Sequence, residues 1–185
     1  MKYRSYSLTD IGYSRKRNED YLLIQDNLFL VADGCGGHSD GNIASELACK
    51  SFAQDIVIDE NINDLDIIKK CLESHNALKN VNPDMATTLS GVIILKNNCI
   101  TFNIGDSPIF GIRKNHICDL YQNHSYWGGV LFKCIGRKDF DRPFFLKSRI
   151  YPGDKIIIGS DGLTKHIPKN EILDIANKSS ESSLH

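Results

Sequence analysis

The sequence predicts an α+β fold in a single domain over residues 1–185. Three observations carry that expectation. Short apolar runs open the chain, two segments with helical spacing follow, and strand-length runs then return in quick succession, bounded by turn residues. No internal repeat, low-complexity tract or linker divides the chain. A globule of this length buries roughly 70% of the surface its unfolded chain exposes, enough for a real core.

Taken in order, residues 3–9 alternate weakly and are expected to form a first strand. Runs 21–25 and 28–32 flank Asp26-Asn27, a pair that tolerates positive φ, so a β-hairpin is expected. From 41 to 56 the period changes: Ile43, Leu47, Ala48, Phe52 and Ile56 recur at three-to-four spacing, the stripe of an amphipathic helix. A second helix starts at an Asn63 or Asp64 cap, carries Leu65, Ile68 and Leu72 on one face, and ends by Asn82-Pro83. Strands are then expected at 89–95 and 99–104, and at 109–113 and 117–121. Runs 144–151 and 155–159 flank Pro152-Gly153-Asp154, another hairpin signal. A short helix at 169–177 precedes a polar tail, expected to fray over 179–185.

Composition narrows the function. Lys plus Arg (22) nearly cancel Asp plus Glu (23), so the broad basic field that non-specific nucleic-acid binding needs is missing. The longest apolar runs, such as 91–95 and 28–32, fall far short of the ~20 residues of a membrane span. The first ten residues have no apolar core, so no secretory signal is read there. A cytoplasmic protein with neither nucleic-acid nor membrane partners is expected. Six cysteines (35, 49, 71, 99, 118 and 134) include no C-x-x-C pair, and Cys49, Cys71, Cys99 and Cys134 read as small core hydrophobes.

Three strand-like runs end alike, in Asp33-Gly34, in Gly105-Asp106-Ser107 and in Gly159-Ser160-Asp161-Gly162. An apolar strand crosses the core and its last residue emerges at the rim, where glycine lets the backbone bend and approach a ligand closely. Glu19-Asp20 opens the first hairpin and adds two more carboxylates. Gathered at one rim, such groups repel each other unless a cation compensates them. Oxygen donors without a Cys or His cluster suit Mg2+ or Mn2+ better than zinc or copper. A single Asp-Gly is an ordinary turn, and the glycine-rich loop 34–41 before a helix leaves a nucleotide reading open, although it matches neither G-x-G-x-x-G nor a P-loop. Arg15, Lys16 and Arg17 are either a solvated basic cluster or, beside a metal site, a source of a bidentate phosphate clamp.

The motifs occur in a recognisable order: Asp10, Gly12, Arg15, Asn18, Glu19 and Asp20; Asp33-Gly34 with Gly36-Gly37-His38, Gly41 and Ala44-Ser45; Thr87-Thr88; Gly105-Asp106-Ser107; Gly153-Asp154; and Ser160-Asp161-Gly162-Leu163. In this the chain resembles the PPM-type, or type 2C, metal-dependent protein serine/threonine phosphatases in their bacterial form. The resemblance implies a β-sandwich of two antiparallel sheets flanked by helices, in α/β/β/α layers. It also implies two Mn2+ or Mg2+ ions at one rim, with a third in bacterial members. By that resemblance Asp33 bridges the two ions and the Gly34 carbonyl binds one of them. Asp161 is a further ligand, and Asp20 and Glu19 hold an ion or its waters. Asp106 serves the third site and Arg15 clamps the substrate phosphate, so Arg15, Asp33 and Asp161 form the catalytic set. Phosphoserine and phosphothreonine in proteins would then be hydrolysed by a metal-bridged hydroxide. The implied partner is a phosphoprotein substrate, and the implied role counteracts a serine/threonine kinase; the sequence does not identify the oligomeric state, and a monomer is the expectation.

Departures from the family pattern are equally plain. Cys35 stands where many bacterial relatives have Met, and His38 is the nearby substitute for a general acid. Pro108 replaces the Arg of G-D-S-R, and the segment between Ser125 and Gly136 is short for a flap, with Asp139 and Asp141 matching no motif. No D-N motif follows Leu163, so a C-terminally shortened member is expected. That leaves a second function open: a catalytically weak pseudophosphatase that binds phosphoproteins or regulates a partner.

Overall fold

A computed structural model describes residues 2–13, 15–35, 40–137 and 139–181. The chain runs β1 (Asp20–Gln25), β2 (Leu28–Asp33), α1 (Gly41–Ala53), α2 (Asp64–Val81), β3 (Leu89–Ile94), β4 (Asn98–Ile104), β5 (Ile109–Arg113) and β6 (His116–Asp119). It continues with β7 (Phe144–Arg149), β8 (Lys155–Ile158), α3 (Asp161–His166) and α4 (Lys169–Glu181). Two antiparallel sheets result, ordered β1-β2-β3-β4-β7 and β6-β5-β8. This is the expected α+β fold.

The first hairpin closes as its turn residues dictate. Gln25 pairs with Leu28, and Asp26 takes a left-handed φ of 50°. In β2 the alternate residues Leu28, Leu30 and Ala32 are buried under α1. At the base of this layer Phe52 of α1 stacks on Phe102 of β4, with ring centroids 4.8 Å apart. Gly91 makes room for that stack, because a Cβ there would lie 2.1 Å from the Phe102 ring. Helix α2 begins at a capping box: Leu65 N donates to Asn63 Oδ1 at 2.9 Å, and Asn63 N to Asp66 Oδ2 at 3.0 Å. Ser74 Oγ then donates to Ala48 O at 2.9 Å, tying α2 to α1.

Four expectations need correction. Residues 3–9 form no strand: Tyr6 and Leu8 are 87% and 91% exposed, so the segment has no buried face to fix a register. The helix faces depart from the expected stripes to different degrees. In α1 Ala48 and Phe52 of the stripe are buried, with Ala44, Cys49 and Ala53 beside them, and Leu47 and Ile56 pack on the core, while Ile43 is exposed; in α2 the inward face is Ile67, Cys71, Ser74, His75 and Leu78, with Leu65 and Leu72 exposed. Close approach of α1 to the sheet and to α2 selects small residues over large ones. Third, β7 and β8 do not pair. β7 joins β4 in the first sheet and β8 joins β5 in the second, so Pro152-Gly153-Asp154 carries the chain between sheets. Last, the C-terminal helix continues to Glu181, through part of the tail expected to fray; residues 182–185 lie outside the described ones.

Candidate active site

Hairpin register decides the chemistry of the rim. β1 and β2 are antiparallel with Asp20 directly opposite Asp33, so two carboxylates are held side by side at the open end of the hairpin. Like charges in that relation destabilise a strand pair. The ends of β4 and β8 reach the same rim and bring Asp106 and Asp161. Asp33 is half-buried, and its pKa is pushed up to about 8, first by burial and then by the charges of Asp20, Asp161 and Asp106. Asp106 is also raised, by burial and then by Asp161. Without added cations the rim is overloaded with negative charge.

Asp33 itself is rigidly held. Its N–H donates to Thr88 Oγ1 at 2.9 Å, and its carbonyl accepts from Thr87 Oγ1 at 2.9 Å and from Thr88 N at 2.9 Å. Thr88 in turn shares a hydrogen bond with Ser107 Oγ at 2.6 Å, linking the Asp33 and Asp106 loops. Gly34 is buried against α1, where a Cβ would fall 2.2 Å from Gly41 O, so no other residue fits. The bend before Asp106 needs Gly105 at φ 110°, and His124 clamps it: Gly105 N donates to His124 Nδ1 at 3.2 Å, and His124 N to Gly105 O at 3.1 Å.

An open cleft of about 650 Å3 lies beside the carboxylates. Asp20, Asp33 and Asp161 line it together with Glu19, Arg15, Ser160 and Lys165, while Asp106 stands just outside the lining. Arg15 is exposed and sits 3.4 Å from Glu19 Oε2. The Glu19 side chain packs near Gly41 and pairs with Arg15 rather than with the other carboxylates. Asp139 and Asp141 are exposed and lie outside the cleft. His38, with Gly36, Gly37 and Ser39, lies outside the described residues, as does most of the loop behind the nucleotide reading. Cys35 hydrogen-bonds Cys134; that bond, burial and nearby Asp33 hold it well above the ordinary thiol range, so it stays neutral.

The donor set suits a hard divalent cation: it is all oxygen, and the Asp33 carboxyl is held in its protonated form first by burial and then by the negative charge of Asp20, Asp161 and Asp106. The side chains do not yet converge on one point, however. Among the described residues no three His, Cys, Asp or Glu side chains form a group able to hold a metal ion. Two of the carboxylates have other partners. Asp20 Oδ2 accepts from Ser160 Oγ at 2.7 Å, and Asp161 Oδ2 is paired with Lys165 Nζ at 2.5 Å. Sequence reasoning took Ser160 only as part of a motif and passed over Lys165 and the clamping role of His124.

The site thus sets carboxylates at one rim of a two-layer antiparallel sandwich, beside a cleft that also carries Arg15 and Arg17. The family described as Protein phosphatase 2C matches residues 13–182. Protein phosphatase PhpP of Streptococcus pneumoniae is 31% identical over 202 residues, covering 91% of this chain and 82% of that protein. Serine/threonine phosphatase stp of Listeria welshimeri is 24% identical, covering 90% and 80%. Among solved structures, the serine/threonine phosphatase of S. agalactiae superposes with a TM-score of 0.80 at 26% identity, over 91% of this chain and 84% of that one. The catalytic domain of PstP, solved in complex with two manganese ions, gives 0.77 at 22% identity, over 89% and 80%. The chain belongs to the protein phosphatase 2C family, the serine/threonine protein phosphatases. Among the described residues no helix is long and apolar enough to cross a membrane.

Proposed function

We propose that this chain hydrolyses phosphoserine and phosphothreonine in proteins, using Mn2+ or Mg2+ held at the carboxylate rim. The observation that carries the reading is the forced juxtaposition of Asp20 and Asp33 across the hairpin, with Asp106 and Asp161 adding to the same surplus of negative charge. Asp33, Asp161, Asp20 and the Gly34 carbonyl would hold two ions, and Asp106 would serve a third. Such ions, when bound, lower the pKa of a coordinated water and neutralise phosphoryl oxygens. The chain's own groups do the rest. Thr87 and Thr88 fix the Asp33 backbone, His124 fixes the bend before Asp106, and Arg15 is free to rotate from Glu19 towards substrate oxygens. Cys35, a neutral half-buried thiol, is no nucleophile. The substrate is a phosphoprotein, and the reaction opposes a serine/threonine kinase.

The test is phosphopeptide hydrolysis with and without Mn2+, beside Asp33→Asn. Activity that needs Mn2+ and falls at least roughly 100-fold in the variant is expected, since the bridging position would be lost. Equal rates without metal, or an unaffected variant, reject the mechanism. One observation favours a second reading, a catalytically weak phosphoprotein-binding regulator. Asp20 and Asp161 are engaged by Ser160 and Lys165 instead of facing a common point. Family-typical turnover by the 185-residue chain would rule that reading out.

A further inference from the structure

Lys165 lies one turn along α3 from Asp161, and the i,i+4 spacing puts both side chains on one face of the helix. Its ammonium sits 2.5 Å from Asp161 Oδ2 and lines the cleft. Among the described residues no other Lys or Arg is ion-paired with Asp20, Asp33, Asp106 or Asp161. Arg15, which also lines the cleft, is paired with Glu19 instead. The charge of Lys165 also bears on Asp33 and Asp106. One tethered ammonium thus stands where the crowded carboxylates call for a cation.

Its setting makes that contact easy to exchange. The Lys165 side chain is 57% exposed against 25% for Asp161, so the ammonium can swing into water on its flexible stem at little cost. A divalent ion that takes Asp161 as a ligand must first displace it. We propose that Lys165 is a built-in counter-cation, holding Asp161 in the metal-free protein and competing with the divalent ion for that carboxylate. This rests on the metal-dependent reading above, and it assigns Lys165 a positioning role that lowers metal affinity while keeping the empty rim folded.

The experiment compares wild type, Lys165→Met and Lys165→Arg by calorimetric Mn2+ titration and by thermal unfolding of the metal-free proteins. Lys165→Met is expected to bind Mn2+ roughly fivefold more tightly, the weight of one partly exposed ion pair. Its metal-free form is expected to melt at a lower temperature than wild type, by a few degrees. Lys165→Arg keeps the positive charge and is expected to stay near wild type in both measurements. Lys165→Gln serves as the replacement should Lys165→Met not fold. Mn2+ binding by wild type with unchanged or weaker affinity in the neutral variant would overturn the proposal and leave the phosphatase reading standing. No Mn2+ binding by wild type or variant would overturn both. A metal-free neutral variant as stable as wild type would also overturn the counter-cation role.

Discussion

The first sheet has two faces, and they are packed by different means. On the helix side, twenty buried hydrophobic residues among those described form one cluster with α1 and α2. On the side facing the second sheet only four do, namely Val92, Cys99, Ile109 and Leu120. The missing apolar area is replaced by hydrogen bonds from fully buried polar side chains. Ser90 Oγ donates to Ser107 O at 2.7 Å, Thr101 Oγ1 to Leu120 O at 2.7 Å, and Asn103 Nδ2 to Gln122 O at 2.7 Å. Apolar burial is strong but non-directional, whereas each hydrogen bond fixes one position and is costly to leave unmade. Stability therefore resides mainly in the helix layer. Positional accuracy resides in the inter-sheet layer, whose bonds end on the loops that carry Asp106 and His124.

The sharpest way to break this contrast is a matched pair of truncations. Phe52→Ala empties the centre of the helix layer and removes a ring stacked on Phe102, so a loss of about 3–5 kcal/mol is expected in urea unfolding. Ile156→Ala, a half-buried side chain of the inter-sheet cluster, should cost only about 1–2 kcal/mol. Equal losses would mean that the two layers contribute alike.

A second test sharpens the contrast from the polar side. His124 is 1% exposed, and because Gly105 N donates to its Nδ1 the ring proton must sit on Nε2, which has no partner among the described residues. Burial, with help from Lys133 and against Asp141, lowers the His124 pKa from 6.5 to about 4. The sign follows directly. The folded state disfavours the charged ring, so the contribution is fully present above pH 6.5 and is lost as pH falls towards 4, by about 3 kcal/mol. Urea unfolding at pH 7.5 and pH 4 should show that His124→Gln loses about 3 kcal/mol less than wild type across this window. Parallel pH dependence in the two proteins would remove His124 as the acid-sensitive point of the inter-sheet layer.

The same division explains what could be read in advance. Asp33, Asp106 and Asp161 were legible because each follows an apolar run and has glycine beside it, a local pattern with a local cause. The first hairpin was legible for the same reason, through Asp26-Asn27. The inward face of α2 was not, because Ser74 and His75 are polar positions set by partners on other elements, which the spacing of Leu65, Ile68 and Leu72 does not report; in α1 Ala48 and Phe52 followed the stripe, but Ala44, chosen by how closely the layers approach, did not. Nor does the turn at 152–154 reveal that its two strands belong to different sheets. Ser160 and His124 act on partners 140 and 19 residues away, Asp20 and Gly105, so their roles exist only once the chain is folded.

The smallest effect is expected at the far end of the inter-sheet layer, where the bond network meets solvent. Arg113 Nε and Nη2 donate to Asp154 Oδ1 and Oδ2 at 2.8 and 2.7 Å, Nη2 also donates to Arg149 O at 3.1 Å, and the guanidinium lies 4.4 Å from the Tyr151 ring centre. This fork pins the 152–154 crossing to β5, and it holds the Asp154 carboxyl below its usual pKa. Arg113 is nevertheless 53% exposed, so solvent screens the pair. Arg113→Ala should cost about 0.5–1 kcal/mol in urea unfolding, with the difference shrinking in high salt. Arg113→Lys should recover only part of it, because an ammonium cannot make the two-pronged contact or stack as well on the ring. Phosphopeptide turnover should be unchanged in both, since neither residue reaches the carboxylate rim. A loss as large as that of Phe52→Ala would place the main support of the sandwich at this crossing rather than under the helices.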